Sequence, residues 1–197
     1  MTDARDAELD RVLIGGREKR EIVIADYDGA WPLQYARLEM QIQDALGRVA
    51  TNIEHIGSAS VPGLAAKPII DVLVVVLSLE DEAAFLPALE RAGFVLRVRE
   101  PRHVLFRTPE RDVHVHLYPP GAPQISDYLV LRDHLRTDAA DRDLYEATKR
   151  ELATRPWADM NHYSDAKTEV IAAILARARD RTSRRFARGP LPPNGGA

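Results

Sequence analysis

The chain has 197 residues, of which 45% are hydrophobic and 29% charged, with a formal net charge of −3. That is enough for one ordinary domain with a core, and it lacks the global basic footprint of nucleic-acid binders, so a nucleic-acid partner is not expected. Cysteine is absent, which excludes disulfides, thiolate metal sites and a thiol nucleophile.

In chain order, residues 1–17 read as a flexible leader ending at Gly15-Gly16. The start MTDARDAELDRV is acidic and polar, unlike a secretory signal, and the longest apolar run, 69–77, is too short to span a bilayer. A cytoplasmic protein without a membrane partner is therefore expected. EIVIADYD, 21–28, alternates like a short strand. Residues 31–49 carry apolar side chains at mostly helical spacing, with Pro32 in the first turn and Gly47 as the stop. TNIEHIG predicts a strand, SVPGLAAKP an irregular link, 69–77 a strand buried on both faces, and 80–92 a helix ended by Gly93.

Three short strands follow at 94–100, 103–108 and 112–119, separated by turn-prone tripeptides that predict an antiparallel meander. After PPGAP the pattern is helical at about 124–137, 141–154 and 163–181, with Asp138 and Ser164 as expected caps. The end of the chain, 183–197, is rich in Pro and Gly and predicts a disordered tail. The whole reads as one α+β domain over 18–182: a mixed sheet with flanking helices in 18–120 and a helical half in 121–182.

The chemistry concentrates in HIGSASVPGLAAKPIID, 55–71. Gly57 lets a phosphate approach the backbone and Ser58 adds a hydroxyl donor. Asp71 opens the next strand, and a carboxylate beside a phosphate cradle calls for a cation between them; Mg²⁺ fits, because it takes few protein oxygens and completes its shell with substrate phosphates. The opposing reading is an ordinary turn in which Asp71 serves loop amides.

This run closely resembles the hallmark of the GrpB family, and LRDHLR, 131–136, and YSDAKTEVI, 163–171, agree with it, so the likeness covers about residues 20–180. The family resembles a branch of the nucleotidyltransferase superfamily, and the same domain type occurs fused to dephospho-CoA kinase. The resemblance implies a nucleotidyltransferase-like mixed sheet carrying the Gly-Ser turn, closed on one side by a helical bundle. It also implies binding of a nucleoside triphosphate with a divalent cation.

The sequence departs from that pattern at one point. Active nucleotidyltransferases carry two carboxylates two residues apart, which a strand's period puts on one face; here the second position is Leu73. A later strand normally supplies a third acid, but DVHVHLYP offers His114 and His116, with Asp112 in phase at its edge. Imidazole suits Mn²⁺, Zn²⁺, Ni²⁺ or Fe²⁺ better than Mg²⁺. Asp71, His114 and His116 are thus the expected metal set, Asp71 and His116 the expected catalytic pair, and a transition-metal enzyme built on the three is an alternative. His55 reads as a phosphate donor, a general base or a plain loop residue; His103, His134 and His162 read as surface or structural.

An anion also needs cations. Lys67 lies in the motif loop, Arg132 and Arg136 stand four apart on one helix, and Tyr145/Lys149 and Tyr163/Lys167 repeat that spacing on the next two. Cations on the phosphates and a tyrosine under the base would suit a nucleotide, whereas ordinary amphipathic helices also show such residues to solvent. The sequence thus supports a nucleotidyl-transferring enzyme with an unknown acceptor, or a catalytically reduced nucleotide- or anion-binding module of the same fold.

Overall fold

A computed structural model describes residues 2–187. Five strands form one mixed sheet: β1 (Ala50–Ile56), β2 (Ile70–Val76), β3 (Val95–Glu100), β4 (His103–Arg107) and β5 (Val113–Tyr118), in the order β1-β2-β5-β4-β3. β1 runs antiparallel to β2, β2 parallel to β5, and β3, β4 and β5 form the expected antiparallel meander. Seven helices surround it: α1 (Thr2–Val12), α2 (Trp31–Leu46), α3 (Glu82–Arg91), α4 (Pro123–Thr137), α5 (Ala139–Ala153), α6 (Met160–Asp165) and α7 (Thr168–Ala187). The α+β class, mixed sheet and helical C-terminal half match the expectation.

Strand alternation sorts the two faces. Ile70, Val72, Val74 and Val76 of β2 and Val113, Val115 and Leu117 of β5 join Ile42, Leu46, Phe85, Leu89 and Phe94 in the main core. Each large apolar side chain buried there contributes about 1.5–3 kcal/mol. On the other face Leu73 packs with Ile56, Tyr118 and Ala122 under α4. A third cluster, with Val61, Leu64, Leu135, Tyr145 and Ile174, binds the helical half to the loop after β1. The sheet's second face is therefore only partly filled by apolar groups, and the site lies in the remainder.

Several local expectations are corrected. The segment expected as a flexible leader contains a helix, α1, whose Leu9 and Val12 are buried; Arg97 donates hydrogen bonds to the Ile14 carbonyl and, at 2.6 Å, to that of Gly16. With so few buried apolar positions, α1 carries little periodic signal. Residues 21–28 form no sheet strand: alternation produces an extended half-buried segment, but its only ladder contact is the bridge Ala25–Ala66. Asp138 caps α5 as expected, accepting from the Asp141 amide, whereas Ser164 lies inside α6, which Asp159 caps instead. Of the expected tail, residues 183–187 end α7, and the remainder lies outside the described residues. No helix among the described residues is long and apolar enough to cross a membrane.

Candidate active site

The site begins at the junction of β1 and β2. Gly57 ends β1 with φ +72° and ψ −177°, a conformation open essentially to glycine. A Cβ there would collide with the Asp71 carboxylate, so glycine is what lets the turn lie directly on that acid. The parallel register sets Asp71 opposite His114 and Leu73 opposite His116, which brings both imidazoles to Asp71. His114 Nδ1 is 3.3 Å and His116 Nε2 3.5 Å from Asp71 Oδ1. Burial pushes the Asp71 carboxyl up, but its contacts with His114 and His116 together push it down more strongly and hold it well below the usual carboxylate range.

Gly57, Ser58, Lys67, Asp71, His114, His116, Arg132, Tyr145, Lys149, Tyr163 and Lys167 all line one cavity of about 350 Å³. Of the sequence-predicted residues, Arg136 is the exception. Its guanidinium turns back to donate two hydrogen bonds, at 2.8 and 3.1 Å, to the Ser60 carbonyl, so it braces the loop instead of lining the cavity. Arg132 reaches the cavity already held, by Glu54 at 2.8 Å and Asp133 at 2.8 Å.

The lysines are arranged around the tyrosines. Lys149 is buried, donates to the Ala65 carbonyl and lies 4.8 Å from the Tyr145 ring centre. Lys67 and Lys167 lie 5.4 and 4.9 Å from the Tyr163 ring centre. An ammonium group therefore already rests against each tyrosine ring in cation–π contact. Burial, then the charge of Lys167, lowers Lys149 to about 7; burial, then Lys67, lowers Lys167 to about 8. Burial likewise lowers Lys67 and raises the Tyr163 phenol to about 12. The Tyr163 hydroxyl is buried without a hydrogen-bond partner. Such a cluster of desolvated ammonium groups is relieved by an anion.

Other predicted positions fall elsewhere. Asp112 is exposed and accepts from the Thr108 hydroxyl at 2.6 Å. His55 is buried behind the site, stacked on Tyr35 at 4.5 Å, and burial lowers it to about 4, so it is a neutral packing group and not a base in the cavity. His134 and Asp138 do approach Asp141 as a metal set would, but Arg177 already holds the Asp141 carboxylate at 2.6–3.1 Å. Leu73 is fully buried and leaves no second carboxylate on the strand.

Sequence reasoning missed the apolar wall of Tyr128, Leu131, Leu135 and Ile171; the spacing of the first three on α4 was a findable signal. It also missed His103, which is half-buried and bonded to His116 at 3.1 Å and to Glu100 at 3.0 Å. As a donor set, one carboxylate with two imidazoles fits Mn²⁺ or Zn²⁺, and fits Mg²⁺ less well.

The sequence profile described as "GrpB protein" matches residues 21–177. The chain belongs to the GrpB family. A UPF0157 protein of Streptomyces coelicolor is 57% identical over 166 residues, covering 84% of this chain and 89% of that one. The crystal structure of the conserved protein GrpB from Enterococcus faecalis superposes with a TM-score of 0.72 at 30% identity, over 81% of this chain and 99% of that one. A dephospho-CoA kinase of Mycolicibacterium paratuberculosis is 29% identical over 182 residues, but these are 45% of its length, as expected where this domain is joined to another. The matches to the Streptomyces coelicolor and Enterococcus faecalis proteins thus each cover more than four-fifths of this chain.

Proposed function

We propose that the cavity binds the polyphosphate of a nucleoside triphosphate together with a divalent cation, and that it transfers the nucleotidyl group to an acceptor hydroxyl. The observation that carries this reading is that Asp71 with two imidazoles, the Gly57-Ser58 turn and three buried or half-buried lysines line one cavity. Asp71, His114 and His116 are the residues that would hold the cation, which supplies charge neutralisation on the transferred phosphate. Ser58 offers its hydroxyl to a phosphate oxygen. Lys67, Lys149 and Lys167 bind the β- and γ-phosphates and stabilise the charge that collects on the leaving group. The apolar wall of Leu131, Leu135 and Ile171 receives the less polar part of the nucleotide and excludes water. In the transfer, the acceptor oxygen bonds to the α-phosphorus, the P–O bond to the β-phosphate breaks, pyrophosphate leaves, and the hydroxyl proton passes to water.

Leu73 favours a second reading: with that position sealed in the apolar cluster, the same cavity binds a nucleotide or another polyanion without turnover. Thermal shift separates the two, because a ligand that binds only the folded state raises the melting point by mass action. The transferring reading expects a triphosphate shift that needs Mn²⁺ or Mg²⁺ and is lost in Asp71→Asn. A cation-independent shift that persists in Asp71→Asn supports the binding module. No shift with any triphosphate at millimolar concentration rejects both.

A further inference from the structure

We infer that Glu100 and His103 hold the His116 imidazole as its Nδ1–H tautomer, turning the Nε2 lone pair toward Asp71 and making Asp71, His114 and His116 a donor set for Mn²⁺ or Zn²⁺ in preference to Mg²⁺. The inference rests on the cation assigned to Asp71 in the proposed function, and deepens it by naming the class of ion and the residues that position its ligand.

Glu100 Oε2 lies 3.0 Å from His103 Nδ1. A carboxylate only accepts, so His103 must carry its proton on Nδ1. The neutral ring then has a bare Nε2, which lies 3.1 Å from His116 Nδ1. One of those nitrogens has to donate, and only His116 Nδ1 can. The His116 proton is thereby drawn to Nδ1, leaving Nε2 as a lone pair 3.5 Å from Asp71 Oδ1. Packing holds the relay in place: the His103 ring stacks on Tyr118 at 4.7 Å.

The consequence is electrostatic. The relay removes the proton that His116 would otherwise offer to Asp71, so two acceptors face each other in a half-buried site. A bound cation satisfies both. One donor atom from each of Asp71, His114 and His116 lies within 4.8 Å of the others. The 3.3 and 3.5 Å separations from Asp71 match the roughly 3.4 Å edge of a tetrahedron with metal–ligand bonds of about 2.1 Å. A ligating histidine that donates its other N–H to a neighbouring acceptor is the usual way a protein fixes tautomer and ring orientation. Here Glu100 and His103 are positioning residues, because neither reaches the ion.

The test uses the full chain labelled with ¹⁵N-histidine, free of metal, at pH 7.5. Long-range ¹H–¹⁵N correlation reads each ring's tautomer, and His116 is expected as Nδ1–H. Mn²⁺ binding, followed by the EPR signal of the free ion, is expected to be at least about tenfold tighter than Mg²⁺ binding measured by competition. His103→Phe keeps a flat ring on Tyr118 but removes the acceptor, and is expected to weaken Mn²⁺ binding by about 10–100-fold and release the His116 tautomer. His103→Gln, whose amide oxygen can accept from His116, is expected to retain most of the affinity. Finding His116 as Nε2–H in the wild type overturns the inference, as does unchanged Mn²⁺ affinity in His103→Phe while Asp71→Asn abolishes it. A wild type that holds no Mn²⁺ overturns this inference and the proposed cation together.

Discussion

Replacing Gly57 with alanine tests the geometry that places the Gly-Ser turn on Asp71. At φ +72° and ψ −177°, a Cβ costs about 1–3 kcal/mol in backbone strain. The same Cβ would meet Cβ and Cγ of Asp71 at 3.0 Å, and Oδ2 closer still. Pushing that side chain off its rotamer adds about 0.5–1.5 kcal/mol. The sum is about 1.5–4.5 kcal/mol, which for a domain of this size lowers the melting point by roughly 3–18 °C. Gly63 is the control: φ is +78° but a Cβ there meets nothing within 4 Å, so Gly63→Ala carries only left-handed strain of about 1–2 kcal/mol. Urea and thermal unfolding of both variants, with Gly57→Ala repeated in an Asp71→Ala background, isolate the contact as a coupling energy. If Gly57→Ala and Gly63→Ala unfold at the same denaturant concentration and the cycle shows no coupling, Asp71 does not lie under the turn and the cavity's construction is wrong.

Lys149, at about 7, has a folded value below the ordinary 10.5, so between those limits the unfolded chain binds more protons and stability rises with pH, by at most about 1.4 kcal/mol per unit. Denaturation at a series of pH values should show the wild type gaining on Lys149→Met from pH 7.5 to 9.5; parallel curves contradict the burial of a strained ammonium. His55, at about 4 against an ordinary 6.5, contributes stability that is present above pH 6.5 and lost as the pH falls toward 4, since only the unfolded chain takes up the proton there. His55→Phe should flatten the wild-type decline in melting point across that window. Tyr163→Phe removes a buried hydroxyl without a partner; ligand-free stability should stay level or rise by up to about 1 kcal/mol, while triphosphate affinity, read by calorimetry, should fall about tenfold. An affinity equal to the wild type's would show that the hydroxyl serves no ligand.

The candidate site was partly legible before any coordinates. Gly57, Ser58 and Asp71 could be picked out because a tight turn and a lone acid at the mouth of an apolar strand are local irregularities. The imidazole pair was legible because His114 and His116 obey a strand's period. Arg136 looked equivalent to Arg132, because spacing on a helix says which residues share a face but not what that face meets. One finds the Glu54 carboxylate and the other the Ser60 carbonyl. The tyrosines read as stacking platforms, and only the fold shows that Lys67, from a loop far away in sequence, approaches the Tyr163 ring.

The amino-acid sequence by itself determined the elements whose cause is local: alternating strands, the glycine and proline breaks, the meander, and the periodic helices of the C-terminal half. Residues within a turn or a pleat of one another set those. Tertiary structure alone decided that β2 pairs with β5 in the register that brings both imidazoles to Asp71, that His103 joins His116, and that α1 packs as a helix. Each of these is a contact between segments distant in the chain. Such contacts are selected by what the assembled core leaves room for, and no short stretch of residues encodes that.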